Sequence, residues 1–152
     1  MLGEIFDQFN LDANSPLIGL MSPSKRQSKK ISRVTFNNAV KPVLHVFSEQ
    51  DVDTIYPKLR TYIAACLSGL NLFDAKETIT NPIVFRSLMD VFPNVAERVR
   101  DRFGTGFTED DFASVLEPMF SRAKSSWFHK PPKSYKDLSE NLAKALKNSF
   151  SI

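Results

Sequence analysis

The residues that could carry out catalysis are few and scattered along the chain. There is one cysteine, Cys66, and the two histidines, His45 and His129, lie far apart. A zinc site needs four cysteine, histidine or carboxylate ligands at short spacings, and this set does not supply them. Cys66 falls on an apolar helical stripe and His45 beside another, which predicts structural roles for both. We therefore expect no metal, no cofactor and no enzymatic activity.

The glycine-rich and acidic motifs are explained by helix capping. Residues 104–106 read Gly-Thr-Gly but lack the Gly-Lys-Ser/Thr that completes a phosphate-binding loop. A helix that ends at Gly104 accounts for them. The acidic residues at 51–53 and 109–111 stand at predicted helix starts, where carboxylates interact favourably with the helix dipole. We interpret them as capping groups and not as metal ligands.

Uneven charge is the strongest sign of a binding function. Residues 13–47 contain six cations and no acid, and residues 122–147 contain seven cations and two acids, although the whole chain carries only +3. On one face, the two segments would form a surface that attracts anions such as DNA. The alternative is that residues 22–30 are a solvated loop. The candidate nucleic-acid-binding residues are Lys25, Arg26, Lys29, Lys30, Arg33, Trp127, Lys130 and Lys133.

The elements that must position these residues are predicted to be helices. Apolar residues recur at helical spacing along the chain, beginning with residues 2–9, and no segment alternates with a period of two over a convincing length. A length of 152 residues fits one domain. We therefore predict an all-α single domain of six or seven short helices. Residues 10–32 are predicted to be a long basic surface loop, and residues 125–133 an aromatic and basic loop.

Capping residues and breakers predict where the helices begin and end. Pro42 should kink or shorten the second helix, which starts near Thr35, and Gly69 should end the longest one. Pro93 should stop a helix that includes Phe92. The last helix should extend toward Phe150. The expected capping residues at the other helix starts are Ser48 in a capping box with Asp51, and Asn81, Asn94, Thr108 and Ser134.

Composition excludes membrane-spanning and secreted classes. Apolar residues make up 42% of the chain, as in ordinary globular proteins, and no apolar run approaches the length of a membrane-spanning helix. Residues 1–10 carry two acids and no basic region, unlike a secretory signal. A single cysteine cannot form an internal disulfide. We therefore expect a cytoplasmic protein that does not associate with a membrane.

Several stretches of the chain resemble segments of one known family. NLDANSPL at 10–17 is followed by the basic stretch and by ISRVTF at 31–36, with TNPIVFRSL at 80–88 and SYKDL at 134–138. These are similar to the helical C-terminal part of the DGQHR-domain family. That family comprises bacterial and phage proteins, including relatives of Dnd-type regulators of DNA phosphorothioation. The Asp-Gly-Gln-His-Arg motif itself does not occur here, so no activity tied to that motif is implied.

The resemblance implies a non-catalytic helical module that contacts DNA or acts in a DNA-modification or phage-defence complex. It also implies that the chain is a fragment or a shortened relative of the longer family members. The residues also allow a second function, that of a protein-interaction or self-association module. The first helix, over residues 2–9, could dock on a protein partner or on a second copy of the chain, with no nucleic-acid role.

Overall fold

Helices form nearly all of the regular structure, which confirms the all-α prediction. The computed structural model describes residues 1–48 and 51–147. The α-helices in these ranges are α1 (Leu2–Leu11), α2 (Arg33–Val40), α3 (Val52–Asn71), α4 (Pro82–Asp90), α5 (Phe92–Phe103), α6 (Glu109–Arg122), α7 (Ser126–His129) and α8 (Tyr135–Lys147). Two 3₁₀ helices, Lys41–Val46 and Lys76–Thr80, and two paired strands, β1 (Met21–Ser22) and β2 (Ile31–Ser32), complete the fold. None of the described helices is long and apolar enough to cross a bilayer.

The longest helix, α3, organises the core. It packs against α1, α6 and the second 3₁₀ helix. Tyr62, at its centre, is fully buried, and its ring lies 4.6 Å from that of Phe92 and 5.3 Å from that of Phe112. The Tyr62 hydroxyl donates a hydrogen bond to the backbone carbonyl of Leu88 on α4. One side chain therefore joins α3 to α4, α5 and α6.

Helices α4 and α8 lie side by side and run parallel. The guanidinium of Arg86 on α4 lies over the ring of Tyr135 on α8, 4.0 Å from its centroid. One turn further along both helices, the Ser139 hydroxyl donates a 2.6 Å hydrogen bond to the Asp90 carboxylate. Because both contacts advance in the same direction along the two helices, their N-termini lie at the same end.

Helix α2 flanks α4 on another side with the same polarity. The ring of Phe36 on α2 stacks on that of Phe85 on α4, with centroids 6.1 Å apart. One turn earlier, Ser32 at the start of α2 and Pro82 at the start of α4 line a common cleft. The N-termini of α2, α4 and α8 therefore lie together, and we call this side of the molecule the amino end.

Most of the predicted capping residues are found where the sequence places them. Asn81 and Thr108 accept hydrogen bonds from backbone N–H groups in the first turns of α4 and α6. The Ser134 hydroxyl does the same at the start of α8. Helix α3 differs from the prediction, because it begins at Val52 and Asp51, not Ser48, caps it. Gly104 follows α5 with a positive φ of 91°, which glycine adopts without the steric cost of a side chain. Phe150 lies outside the described residues.

Prolines interrupt one predicted helix and move one predicted boundary. The second helix is interrupted at Pro42, as predicted: α2 stops at Val40 and the chain continues as the first 3₁₀ helix. Pro93 does not stop a helix but stands in the first turn of α5, where a missing N–H costs nothing. Phe92 therefore begins α5, and Asn94 is not its cap. Pro57 and Pro118 lie inside α3 and α6, which continue past them.

Gly69 does not terminate α3, contrary to the prediction. The helix runs on to Asn71, and Gly69 is buried against the ring of Phe120 on α6. A Cβ at this position would overlap that ring. The glycine is therefore needed for the close approach of α3 and α6.

Replacing Gly69 with alanine should destabilise the protein by about 1–3 kcal/mol through overpacking. Alanine is intrinsically better than glycine inside a helix by about 0.5–1 kcal/mol, so a measured loss must come from the overlap. Urea unfolding provides the test. Gly106→Ala is the control, because a Cβ there meets nothing closer than 3.9 Å. Equal stability of G69A and the wild type would contradict the close packing.

Candidate nucleic-acid interface

Residues 23–30, which we call the basic loop, project between the two short strands. The strands pair in parallel and place Ser22 beside Ser32, so the loop leaves and re-enters the fold at nearly the same point. Residues 23–29 are exposed and Lys30 is half-buried. Within the described parts of the chain, no acidic group forms an ion pair with Lys25, Arg26, Lys29 or Lys30. Four cations are thus presented to solvent without an internal counterion.

The wider segment 10–32 is not the surface loop that the sequence predicts. Its first two residues belong to α1, and Leu17, Met21 and Ile31 are buried in the core. The apolar residues are spaced too irregularly to produce a periodic signal, which is why sequence patterning misses their burial. These three residues fasten the segment to the core on both sides of the basic loop.

Asp12 anchors the beginning of the same segment. Its carboxylate accepts a 2.7 Å hydrogen bond from the Tyr56 hydroxyl and lies 3.4 Å from the Arg60 guanidinium, both on α3. The hydrogen bond from Tyr56, helped by one from the backbone of Asn14, lowers the pKa of Asp12. Burial and the neighbouring Asp12 raise the pKa of Tyr56 to about 12.

Arg33 holds the start of the basic loop in place. Its Nε donates a 3.2 Å hydrogen bond to the carbonyl of Pro23, and its Nη2 lies 3.5 Å from Asp7 on α1. The guanidinium also stacks over the ring of Phe6, 4.2 Å from the centroid. These contacts give Arg33 a role in positioning the basic loop, and its phosphate contact stays a prediction.

The aromatic and basic stretch at residues 125–133 is the part of the second basic segment that was predicted to be a loop. It is not wholly a loop, because it contains α7. Phe128 on this helical turn is buried, with its ring 5.5 Å from that of Phe73. His129 donates through Nε2 to the carbonyl of Phe73, and its Nδ1 lies 3.9 Å from Glu77. These contacts fix the segment to the region around the second 3₁₀ helix.

The predicted binding residues of this second segment differ in their exposure. Lys130 and Lys133 are exposed and belong to no described ion pair. Trp127 is half-buried and packs on the core. Its ring is therefore only partly available for the base stacking that its sequence context suggests.

The basic loop and residues 125–133 both lie at the amino end. The basic loop leads into α2 and borders a cleft of about 140 Å³ that it shares with Thr80 and Pro82, at the start of α4. Segment 125–133 leads toward α8 and contacts Phe73 and Glu77, on the other side of Thr80 along the chain. Both segments thus border the 3₁₀ helix Lys76–Thr80. The positive ends of three helix dipoles point in the same direction.

Arg86 and Tyr135 also lie toward this end, although the sequence analysis did not select them. Arg86 is half-buried, and its Nε is enclosed without a hydrogen-bond partner. Its guanidinium is held flat against the Tyr135 ring, an arrangement that orients the planar donor group. The available signal was an arginine in the mainly apolar run 83–89, which helical periodicity alone interprets as a surface position.

The remaining candidates for chemistry lie away from the amino end or in the core. Cys66 is buried, and burial raises the pKa of its thiol to about 12, so it is protonated at neutral pH. His45 is exposed, and its Nδ1 donates to the carbonyl of Pro42 within its own 3₁₀ turn. No group of three or more potential metal ligands occurs in residues 1–48 and 51–147.

Helix α1 does not offer the apolar docking face that the alternative hypothesis requires. Ile5, Phe6 and Phe9 are all fully buried. The ring of Phe36 on α2 lies 5.3 Å from that of Phe6, and the ring of Tyr56 on α3 lies 4.8 Å from that of Phe9. The burial of Ile5, Phe6 and Phe9 counts against docking through the first helix, because neighbouring helices of the same chain cover its apolar side, and the protein-interaction alternative stays a prediction.

Comparisons with known proteins do not assign the chain to a family. No protein-family model matches it, and no curated protein or solved structure is detectably similar to it. The resemblance to the DGQHR-domain family therefore stays a prediction. The function has to be argued from the geometry of this chain.

Tyr56→Phe should change how stability depends on pH. The folded protein keeps the Tyr56 phenol protonated, so its contribution is complete below pH 10.0 and lost as the pH rises to about 12. The lowered pKa of Asp12 makes its contribution present above 3.8 and lost as the pH falls further. The difference in unfolding free energy between the wild type and Y56F should therefore be largest between these limits. A difference that is constant with pH would contradict the assigned hydrogen bond.

Arg33→Ala should loosen the basic loop and lower the unfolding free energy by about 1 kcal/mol, from the lost ring stacking and exposed ion pair. Amide hydrogen exchange should become faster in residues 23–30. Arg26→Ala removes the same charge from the exposed loop and serves as the control. If both variants exchange like the wild type, Arg33 does not position the loop.

Proposed function

We propose that the protein is a non-catalytic DNA-binding module whose amino end contacts the phosphate backbone. One observation carries this proposal: two basic segments, far apart in the sequence, border the same 3₁₀ helix at the N-termini of three parallel helices. Converging cations and helix N-termini attract polyanions.

The proposed contacts are mainly electrostatic. Lys25, Arg26, Lys29 and Lys30 are the primary phosphate ligands, because they have no described counterion. Lys130 and Lys133 supply a second point of contact across the 3₁₀ helix. Phosphate contacts position a protein on nucleic acid but carry no sequence information. The net charge of +3 favours modest affinity with little sequence preference.

The wider role is proposed from the resemblance stated above. Over residues 10–36 the chain resembles the DGQHR-domain family, so we propose that this module acts within a DNA-modification or phage-defence complex. A cytoplasmic location fits such a role. The single cysteine needs no oxidising compartment.

The test is a fluorescence-anisotropy titration with labelled duplex and single-stranded DNA at low and physiological salt. The wild type should bind with micromolar affinity that weakens steeply as salt rises. The variant K25A/R26A/K29A/K30A should lose most binding, and its salt slope should flatten by about 0.9 for each duplex phosphate contact removed.

The matched control removes four exposed cations near the C-terminal ends of helices. Its substitutions are K41A, R102A, K144A and K147A. The control should retain nearly all affinity, since it changes net charge equally but leaves the amino end intact. Equal losses in the two variants would refute a defined interface. No binding of the wild type at low salt would refute DNA binding, and light scattering would then test self-association.

A further inference from the structure

A second cleft lies beneath the beginning of the basic loop, against the first turn of α2. Its volume is about 260 Å³, which leaves room for several water molecules at about 30 Å³ each and hence for a phosphate group. The described lining residues include no acidic side chain. The polar residues that line it are Ser22, Ser24, Lys25, Arg26, Ser32, Arg33 and Thr35.

Ser22 is the unusual member of this set. It is only 2% exposed, and its hydroxyl has no hydrogen-bond partner in the structure. Buried hydroxyls are normally paired, because an unpaired one loses its hydration without compensation. The neighbouring Ser32 is fully engaged by comparison, since its hydroxyl caps α2 and also donates to Thr35 Oγ1. Ser22 thus lines the cleft with an unused donor.

The surroundings of this donor favour an anion. Val34, in the first turn of α2, lines the cleft, and the first turn of a helix carries partial positive charge. Lys25 and Arg26 line the cleft from the loop side. Arg33 also lines the cleft and holds the loop backbone at Pro23, next to Ser22, before any ligand arrives.

The geometry points to a seat for one phosphate group in this cleft. The Ser22 hydroxyl donates a hydrogen bond to a phosphate oxygen, while the first turn of α2 and the side chains of Lys25 and Arg26 balance its charge. This inference deepens the proposed function and rests on it, because the phosphate would be one of the DNA backbone. Its chemistry can nevertheless be tested separately with inorganic phosphate.

The first experiment is an NMR titration of the ¹⁵N-labelled protein with inorganic phosphate, in which sodium chloride keeps the ionic strength constant. The amide signals of Val34 and Thr35 should shift and saturate in the wild type. Ser22→Ala should weaken phosphate binding by about tenfold, as expected when a hydrogen bond to a charged group is lost. Urea unfolding of S22A should show no loss of stability, because the variant removes an unpaired buried hydroxyl.

Two further variants control the result. Ser68→Ala removes an exposed hydroxyl on α3, outside the cleft, and should bind phosphate like the wild type. Ser22→Cys keeps the side-chain size but offers only a weak donor, so it should weaken binding as well. It provides the same test if S22A fails to fold. Absence of saturable shifts in the wild type, or unchanged phosphate affinity in both Ser22 variants, would overturn the seat.

The DNA titration separates this inference from the proposed function. If S22A weakens DNA binding severalfold without altering the salt slope, the seat holds a backbone phosphate. If the loop cations are required for DNA but both Ser22 variants bind DNA and phosphate normally, the seat is wrong and the DNA-binding function stands. If phosphate binding depends on Ser22 while DNA does not bind, the seat stands and the DNA-binding function is wrong.

Discussion

The parallel packing of α2, α4 and α8 is the constraint on which the proposed interface depends. The Phe36–Phe85 stacking and the cleft shared by Ser32 and Pro82 together fix the polarity of α2 against α4. The Arg86–Tyr135 and Ser139–Asp90 contacts do the same for α8. Helices α2 and α8 each follow a basic segment in the sequence. If either were antiparallel to α4, its segment would lie at the opposite end of the molecule.

The basic loop is fastened to the fold on both sides. Buried Leu17, Met21 and Ile31 hold the flanking residues in the core, and the paired strands close the loop at its base. A free linker with the same charge would lose conformational entropy on binding DNA. Folding of this chain already orders the two ends of the basic loop, so less conformational entropy is left to lose on binding. At the base of the loop, the Ser22 hydroxyl is buried without a hydrogen-bond partner.

Tertiary contacts redistribute the roles that composition suggests. The sequence indicates that Arg33 is one more cation of the basic loop. In the structure its guanidinium donates to the Pro23 carbonyl, pairs with Asp7 and stacks over the Phe6 ring. The sequence indicates that the Trp127 ring is available for base stacking, but the ring is half-buried against the core. Arg86 reads as an ordinary helical surface residue and lies, flat against Tyr135, toward the amino end. Charge and aromaticity identify candidates, but neighbouring elements decide which of them remain available to a ligand.

The sequence by itself determined what depends on residues close along the chain. Helical periodicity, the capping residues Asn81, Thr108 and Ser134, and the charge of the loop all act within a few residues, so the all-α fold and most helix starts are predictable. Gly69 shows the limit, since only the ring of Phe120 on a distant helix reveals why a glycine stands there. The meeting of the two basic segments likewise depends on contacts between α2, α4 and α8. Tertiary structure decided these features because pairing between distant side chains leaves no periodic signal in the sequence.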